Sequence, residues 1–472
     1  MKHFFSHPAG RTLTLGFLCL LLTPALAAPA ELNPVWKAAA ASVVITPETN
    51  MWMAGYASRN KPSEGKAQDL FAKALAIEDQ NGAKLVIVTL DLIGVPRTLR
   101  KGLEKRVADA CKLGPESLLL NASHTHSGPE FRVGRTSADD GEFGPAKQGE
   151  RYGQRLEDKL FRLIEKALNA LAPAKLSYCH ARCGFAMNRR LPSPTGYRNS
   201  PYADGPVDHD VPVVRVESPD GKQLKALLFG YACHNTTLGL YQFCGDYAGF
   251  AQEYLQAARP ETVALFMTGC GGDQNPYPRG TLELAQQHGR ELSLAVETAL
   301  IANSTPLAGP LRSAFAEIDI DYATPPSKEE LTKRLESKDR YEKSHAEKML
   351  LVIEKDGRLP ASYPYPIQVV HLGKELTLVA LGGEVVVDYS LRLKRELAGP
   401  AVWIAAYSND VMGYIPSVRV LNEGGYEAGG AMRYSSTHPG PWAPTVEERI
   451  VRKVHELDRS LTARNRNAGD NQ

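Results

Sequence analysis

Long apolar runs that end in small and polar residues recur along the chain, and they constrain its fold more than any other feature. Six of these runs are rich in aliphatic residues: "KLVIVTLDLIG", "SLLLNASHTHSG", "ALLFGYACHNTT", "ALFMTGCGGDQN", "LTLVALGGE" and "VWIAAYSNDVMGY". Continuous apolar runs of this length are typical of strands that are buried on both faces of a sheet. Segments with helical periodicity lie between them, such as "RTLRKGLEKRVADAC" and "RYGQRLEDKLFRLIEKALNAL". This alternation predicts an α/β fold with a mixed or parallel sheet.

Two long segments interrupt the alternation of strands and helices. Residues 325–357 are highly charged but keep a helical spacing of apolar residues, so we predict a solvated helical hairpin. Residues 187–210 are rich in Pro, Gly, Asn and Asp without an apolar period, which predicts a long loop of the kind that often carries function. At the other end of the sequence, we expect residues 461–472 to form a disordered tail.

The N-terminal segment has the pattern of a secretory signal peptide. Lys2 and Arg11 precede the apolar run "LTLGFLCLLL", and "TPALA" ends in small residues. We predict that residues 1–27 are cleaved after Ala27 and that the mature protein is secreted or periplasmic. The apolar run is too short for a permanent membrane helix, and we expect no transmembrane segment elsewhere. The formal net charge of +2 gives no indication of nucleic-acid binding.

Six cysteines follow the predicted signal peptide: Cys111, Cys179, Cys183, Cys233, Cys244 and Cys270. An even number of cysteines in an exported protein permits disulfides, and the local candidates are Cys179 with Cys183 and Cys233 with Cys244. Free thiols are the alternative. The spacing in "CHARC" lacks the second cysteine pair that would complete a tetrahedral metal site.

Polar side chains follow the six predicted strands where each strand ends. Ligands of open α/β sheets bind beyond the carboxyl ends of the strands, so we expect these residues to share one site. Their nitrogen and oxygen atoms suit zinc, and they are Asp91, His124, His126, His234, Asp246, Asp273, Glu384, Asn409, Asp410 and Tyr414. Residues two apart on extended backbone face the same side, so His124 and His126 would meet one cavity. Each residue alone also has a structural explanation: Glu384, for example, precedes a predicted helix whose N-terminus it could stabilise.

Several other catalytic motifs do not occur in the sequence. There is no G-x-S-x-G, which would indicate an α/β-hydrolase serine nucleophile. The phosphate-binding pattern G-x-x-x-x-G-K-[ST] and the zinc-protease pattern H-E-x-x-H are also absent. The glycine-rich "GCGGD" lacks the fingerprint of a dinucleotide-binding loop.

The order of the motifs resembles that of the neutral/alkaline non-lysosomal ceramidases over residues 37–440. "SHTHSGP" is similar to the histidine motif of that family, and "GYACHNTTLG" is similar to the segment with its second histidine. "GGEVVVDYSLRLKREL" resembles its glutamate before a helix, and "AYSNDVMGYIPS" resembles its tyrosine motif. "SVVITPETNMWMAGYASR", "AMNRR" and "GGYEAGGAMRY" resemble further family segments. The resemblance implies one large catalytic domain over residues 31–460, with two mixed β-sheets packed between helices.

The resemblance also implies which residues do the chemistry. One zinc ion would be bound by His124, His234, Glu384 and Tyr414. The catalytic residues would be His126, which moves protons, and Arg189, which steers the substrate or the developing oxyanion. The substrate-binding residues would be Asn188 and Tyr426. Binding of a second metal, Ca²⁺ or Mg²⁺, and the oligomeric state are left open.

The resulting hypothesis is a secreted, zinc-dependent amidohydrolase of the EC 3.5.1 class. Zinc-bound hydroxide would attack the amide carbonyl of ceramide or a related N-acyl lipid, and His126 would protonate the leaving amine. One alternative is a zinc hydrolase of the same fold that acts on a different, soluble amide or on an ester. Another alternative is a metal-bound binding protein without catalytic activity.

Two departures from the family pattern affect the expected substrate. The sequence ends soon after the tyrosine motif, so we expect no counterpart of the family's C-terminal β-sandwich domain. Gly269 and Cys270 stand where the family has a serine with an assigned role. We expect that Cys270 is not a nucleophile, because no activating base falls in its segment and the nearest motif histidine would bind the metal.

Overall fold

The structure is a computed structural model, and it describes Met1, residues 36–132 and residues 144–469, with side chains through residue 463. Beyond Met1, the predicted signal peptide lies outside the described residues, as do residues 470–472 of the predicted tail. Among the helices of the described part, none combines the length and hydropathy that a membrane crossing requires.

Strands and α-helices alternate along most of the described chain. The strands are β1 Trp36–Val44, β2 Phe71–Asp79, β3 Lys84–Leu90, β4 Leu118–Ala122, β5 Ala172–Arg182, β6 Ala186–Ser193, β7 Gly196–Tyr202, β8 Asp210–Glu217, β9 Leu224–Tyr231, β10 Val263–Thr268, β11 Gln274–Pro276, β12 Thr305–Pro306, β13 Leu311–Asp321, β14 Ser362–Leu372, β15 Leu376–Leu381, β16 Glu384–Val385, β17 Val402–Ala405 and β18 Tyr414–Ile415. The helices are α1 Arg97–Cys111, α2 Pro145–Asn169, α3 Asp246–Ala258, α4 Leu282–Ile301, α5 Lys328–Arg334, α6 Arg340–Asp356, α7 Val387–Glu396, α8 Val418–Glu423 and α9 Val446–Gly469.

Two mixed sheets form the centre of the molecule. The larger sheet has nine strands in the order β10-β9-β8-β5-β1-β2-β3-β4, with β12 paired to β5. Its β3–β4 and β9–β10 pairs are parallel, whereas β1, β2 and β3 pair antiparallel. The second sheet has the order β13-β14-β15-β17, in which only β15 and β17 pair in parallel. Two smaller sheets, β11-β6-β7 and β16-β18, lie beside them.

Alternate residues along the strands show how the layers pack. In β9, Leu227 and Phe229 pack with α3 and α4, whereas Leu228 lies in the core that the two sheets share. In the second sheet, Val370 faces that shared core and Val369 packs with α7 and α9. Each such fully buried side chain stabilises the fold by about 1.5–3 kcal/mol. The order helix, sheet, sheet, helix confirms the predicted fold class.

The segment 187–210 is not the long loop that we predicted from its composition. Most of it forms the antiparallel pair of β6 and β7, which is joined by a tight turn between Ser193 and Gly196. No side chain of β7 is buried, so the hairpin has no apolar face for periodicity to reveal. Backbone pairing stabilises the hairpin without an apolar pattern in the sequence.

The charged segment 325–357 confirms the predicted helical hairpin. It contains α5 and α6, which enclose a small apolar cluster of Leu331, Ala346 and Met349. The final helix α9 continues past residue 460, into the segment for which we expected a tail. Leu461 is fully buried in the core beside the second sheet, which explains why the helix extends this far.

The six cysteines of the described chain are free thiols, and five of them are buried. Of the two alternatives left open by the sequence, the described residues therefore have free thiols, and neither candidate pair is bonded. Cys179 lies in β5 and Cys183 follows the end of that strand, so extended backbone separates them. Four residues of strand span roughly 13 Å, well beyond the Cα separation that a disulfide bridges.

Candidate metal centre

Two buried histidines follow strands of the large sheet and are held by backbone carbonyls. The Nδ1 atom of His124, just beyond β4, lies 2.6 Å from the carbonyl oxygen of Ile93. The Nδ1 atom of His234, just beyond β9, lies 2.6 Å from the carbonyl oxygen of Gly271. A carbonyl oxygen only accepts, so each Nδ1 carries the proton and each Nε2 keeps a lone pair. Burial lowers the pKa of His234 to about 4, which keeps this imidazole neutral.

A short parallel pair of strands brings a carboxylate and a phenol to the same place. Glu384 of β16 pairs in register with Tyr414 of β18. The Oε2 atom of Glu384 lies 3.3 Å from Nε2 of His124 and 3.3 Å from Nε2 of His234. The hydroxyl of Tyr414 lies 3.2 Å from Nε2 of His234. A Cβ on Gly272 would lie 2.6 Å from the carbonyl oxygen of Glu384, so the backbone approaches β16 closely because this residue is glycine.

These four side chains fit a divalent metal of the size of zinc. The Oε2 atom of Glu384 is buried and has no hydrogen-bond partner among the described residues, although two imidazole lone pairs face it. Lone pairs at this separation repel one another unless a cation lies between them. In a tetrahedral site with bonds of about 2.0–2.1 Å, ligand atoms are about 3.3 Å apart.

His126 reaches the same point by a route that differs from our prediction. His124 has a φ of 62° and the chain turns after β4, so the two histidines do not converge through extended backbone. Even so, the Nε2 atoms of His124 and His126 are 3.2 Å apart. Ring nitrogens of His124, His126 and His234 lie within 4.8 Å of one another, so His126 is a further candidate ligand as well as a candidate proton carrier.

The ring of His126 is held by the segment that precedes Arg59. Gly55 has a φ of 100°, and a Cβ there would lie 2.4 Å from Cγ of His126. The ring of Tyr56 meets His126 edge-on, with 4.7 Å between the ring centroids. Burial lowers the pKa of His126 well below its usual value, and the neighbouring His124 and His234 lower it further. His126 is therefore a neutral imidazole packed against a glycine.

Arg189 is buried and contacts Tyr414. It is not one of the described residues that line the cavity. Its Nη2 donates to the hydroxyl of Tyr414 at 2.9 Å, and its Nε donates to Glu427 at 2.8 Å. Its Nη1 donates to Asn275 at 3.1 Å. Burial raises the pKa of Tyr414, and the guanidinium acts against that rise. The geometry therefore gives Arg189 a role in fixing the phenol oxygen, which differs from the predicted contact with the substrate.

Asn188 does not take the substrate-binding position that we predicted. Its side chain is buried, and its amide donates to the carbonyl of Pro206 at 2.9 Å and to Asp273 at 3.1 Å. These bonds fix the start of the β6–β7 hairpin. Tyr426, by contrast, lines the cavity, with its ring centroid 5.4 Å from that of Tyr414.

Half of the polar strand-end residues that we assigned to one shared site lie elsewhere. Four of them accept hydrogen bonds from backbone amides, which explains their polarity without a ligand: Asp91 from Phe71, Asp246 from Leu238, Asp273 from Val387 and Asn409 from Leu120. Asp410 accepts from the hydroxyl of Tyr363. These positions follow strands, as His124 and His234 do, but their side chains bond to groups of the protein itself.

Cys270 lies in the core beside the second sheet and is fully buried. Burial raises the pKa of its thiol well above the usual value, so the thiolate form that a nucleophile requires is disfavoured. The surroundings of Cys270 agree with the prediction that it is not a nucleophile.

Four of the converging side chains, His124, His126, Glu384 and Tyr414, line the inner wall of a cavity of about 690 Å³. Helix α6 and residues 426–438 form the outer wall, to which they contribute Tyr341, Ser344, Tyr426, Met432 and Tyr434 among others. Nothing in the sequence pointed to the contribution from α6, because a charged amphipathic helix has the same pattern whether it lies in solvent or covers a site. The segment 52–59 also lines the cavity, and only its resemblance to the family's opening motif pointed to it.

Comparisons with known proteins agree with the fold and the motifs. A family model described as neutral/alkaline non-lysosomal ceramidase, N-terminal, matches residues 40–292. The fold is similar to that of neutral ceramidase from Pseudomonas aeruginosa, with a TM-score of 0.70 and 19% identity over 91% of this chain and 75% of that chain. It is also similar to a ceramidase complexed with C2, with a TM-score of 0.70 and 18% identity over 91% of this chain and 76% of that chain. A comparison with curated proteins found no match. On the family match, this chain belongs to the neutral/alkaline non-lysosomal ceramidase family.

Proposed function

We propose that the protein is a zinc-dependent hydrolase that cleaves the amide bond of ceramide or a related N-acyl lipid, releasing a fatty acid and an amine. Membership of the ceramidase family supports the amide as the reactive bond. The observation that carries the proposal is the convergence of His124, His234, Glu384 and Tyr414, whose neighbouring ligand atoms are 3.2–3.3 Å apart beside an open cavity.

In this proposal, zinc is held by those four side chains. The backbone carbonyls that accept from both Nδ1 atoms orient the imidazoles, as hydrogen bonds to the other ring nitrogen of metal-binding histidines commonly do. The hydrogen bond from Arg189 holds the hydroxyl of Tyr414 and favours a negatively charged oxygen. A bound zinc ion supplies a Lewis acid and lowers the pKa of water, which is what hydrolysis of an unreactive amide requires.

His126 is the proposed proton carrier. Its imidazole is neutral and lines the cavity. It can therefore accept the proton that water loses as the water attacks the amide carbonyl. It then donates that proton to the leaving nitrogen, which departs as a neutral amine. Tyr426 lines the same cavity and is the proposed substrate contact.

The test combines metal analysis with hydrolysis of a panel of N-acyl amides and matched esters. We expect one zinc per purified chain, fatty-acid release from at least one amide, loss of that activity with a chelator and recovery with zinc. Activity that survives complete removal of metal would contradict the proposal. Stoichiometric zinc without hydrolysis of any amide or ester would instead favour a metal-bound binding protein.

We also propose that the protein is exported after removal of residues 1–27, which would leave a catalytic domain over residues 31–460. The apolar N-terminal segment and its small residues before Ala28 support this. N-terminal sequencing of the protein from the extracellular and periplasmic fractions tests it. A mature protein that begins at Met1 would exclude the cleavage.

A further inference from the structure

We propose that the cavity contains a subsite for an anionic group, centred on Arg59. The substrate would then be an N-acyl amide with a carboxylate on its amine side, such as an N-acyl amino acid, whereas ceramide is uncharged there. The inference rests on the proposed amide hydrolysis and specifies its substrate class.

Arg59 lines the cavity, and the hydrogen bonds of its guanidinium go to backbone carbonyls. Its Nη1 donates to the carbonyls of Ala54 and, at 2.7 Å, of His126, and its Nη2 donates to the carbonyl of Leu240 at 2.9 Å. Its Nε is buried without a hydrogen-bond partner among the described residues. No carboxylate of the described chain lies within ion-pair distance of it. The positive charge of Arg59 is therefore fixed in place but not neutralised.

Other arginines on the cavity wall are paired with carboxylates. Arg132 binds Glu130 through its Nε at 2.9 Å and its Nη2 at 2.6 Å. Arg433 binds Asp339 at 2.9 Å. These pairs balance the charges within the wall, whereas a partly desolvated guanidinium without an anion is costly. A ligand carboxylate would supply the missing anion through a charge-assisted hydrogen bond from the Nη2 hydrogen that the carbonyl of Leu240 leaves free.

The position of Arg59 indicates which end of the substrate carries the charge. The same Nη1 that holds the carbonyl of His126 places the guanidinium beside the residue proposed to protonate the leaving nitrogen. The ring of Tyr56 lies 4.9 Å from the guanidinium carbon and limits its movement. An anion bound here would be attached to the amine product, close to the bond that breaks.

The test compares two substrates with the same acyl chain, N-lauroylglycine and uncharged N-lauroylethanolamine, on the zinc-loaded enzyme. At low ionic strength we expect kcat/KM to be about 10- to 100-fold higher for the glycine conjugate, the range for a hydrogen bond to a charged group. Arg59→Gln should abolish this ratio and Arg59→Lys should keep part of it. Arg433→Lys, which makes the matched exchange at a paired arginine of the same cavity and keeps its pairing with Asp339, should leave the ratio unchanged.

The outcomes separate this inference from the proposed function. Equal or faster hydrolysis of the ethanolamine conjugate by the wild type would overturn the anionic subsite and leave amide hydrolysis intact. If Arg59→Gln slowed both substrates equally, Arg59 would be a structural support for the His126 loop, and the subsite would again be overturned. Absence of hydrolysis of every amide would contradict the proposed function itself. If Arg59→Gln did not fold, the ratio of the two kcat/KM values in the wild type and in Arg59→Lys would still test the anionic subsite.

Discussion

The inner and outer walls of the cavity are built in different ways. On the inner wall, His124 is buried at a strand end and a backbone carbonyl fixes its ring. His234, which contacts the wall residues Glu384 and Tyr414, is fixed in the same way. On the outer wall, α6 is attached through side chains, such as the exposed hydroxyl of Tyr341 on the carbonyl of Ala57 at 3.2 Å and the buried ring of His345 on the carbonyl of His438 at 2.8 Å. The sheets therefore hold the reactive groups rigidly, whereas side chains near the surface control access. Substitutions on the inner wall should accordingly reduce activity most, and substitutions on the outer wall should reduce it least.

Replacement of the inner-wall carboxylate, Glu384→Gln, should have the largest effect. Glutamine keeps the shape but removes the negative charge that faces the two imidazoles, so zinc binding should weaken and activity should fall to that of the metal-free protein. Zinc content, amide hydrolysis and thermal unfolding of the purified variant check this. Full zinc occupancy with normal turnover would show that Glu384 is not a ligand.

Removal of the neighbouring imidazole, His126→Ala, should separate the chemistry from the metal. If His126 carries the proton, the variant keeps zinc and loses roughly 10²–10⁴ in turnover, the usual range for a positioned acid–base group. Zinc content and turnover have to be measured on the same preparation. Loss of zinc would identify His126 as a ligand, and normal activity with zinc would mean that it takes no part in the reaction.

The packing that holds His126 can be tested without changing any reactive group. In Gly55→Ala, the new Cβ would meet Cγ of His126 at 2.4 Å, and a misplacement of about 1 Å can cost roughly 10² in rate. We expect retained zinc, lower turnover and a loss of stability of about 1–3 kcal/mol from the positive φ. Gly65→Ala is the matched control, because Gly65 has a φ of 109° with nothing within 4 Å. It should lose stability but keep turnover, and equal turnover loss in both variants would exclude a specific effect on His126.

The same contrast explains what the sequence could predict. Helix α1 coincides with the predicted segment "RTLRKGLEKRVADAC", because an apolar stripe at helical spacing is visible in one segment alone. The strand ends also led to His124, His234, Glu384 and Tyr414. Sequence position did not distinguish these four residues from strand-end residues that hydrogen-bond to backbone, such as Asp91. The difference between the two groups depends on the direction in which each loop turns after its strand.

The position of the outer wall over the cavity could not be predicted from the sequence for a related reason. The charged segment with α5 and α6 was predicted as helices, but its placement over the cavity depends on long-range contacts such as Arg433 with Asp339. Arg59 is a similar case. It lies in a segment that resembled a family motif, but its lack of a carboxylate partner appears only when the surrounding loops are in place.

The smallest effect should come from Asp339→Asn on the outer wall. Asp339 also caps α6 by accepting from the backbone amide of Tyr341 at 2.9 Å, and asparagine caps helices equally well, so only the ion pair with Arg433 is lost. An exposed pair contributes up to about 1 kcal/mol, so stability should change little. Arg433 would then face the cavity without its partner, and KM for an anionic substrate should fall a few-fold at low salt, with kcat unchanged. Added salt should remove the difference, because exposed charges are screened. A tenfold fall in kcat would instead mean that the outer wall contributes to the chemistry. The assignment of chemistry to the inner wall and of access to the outer wall would then be wrong.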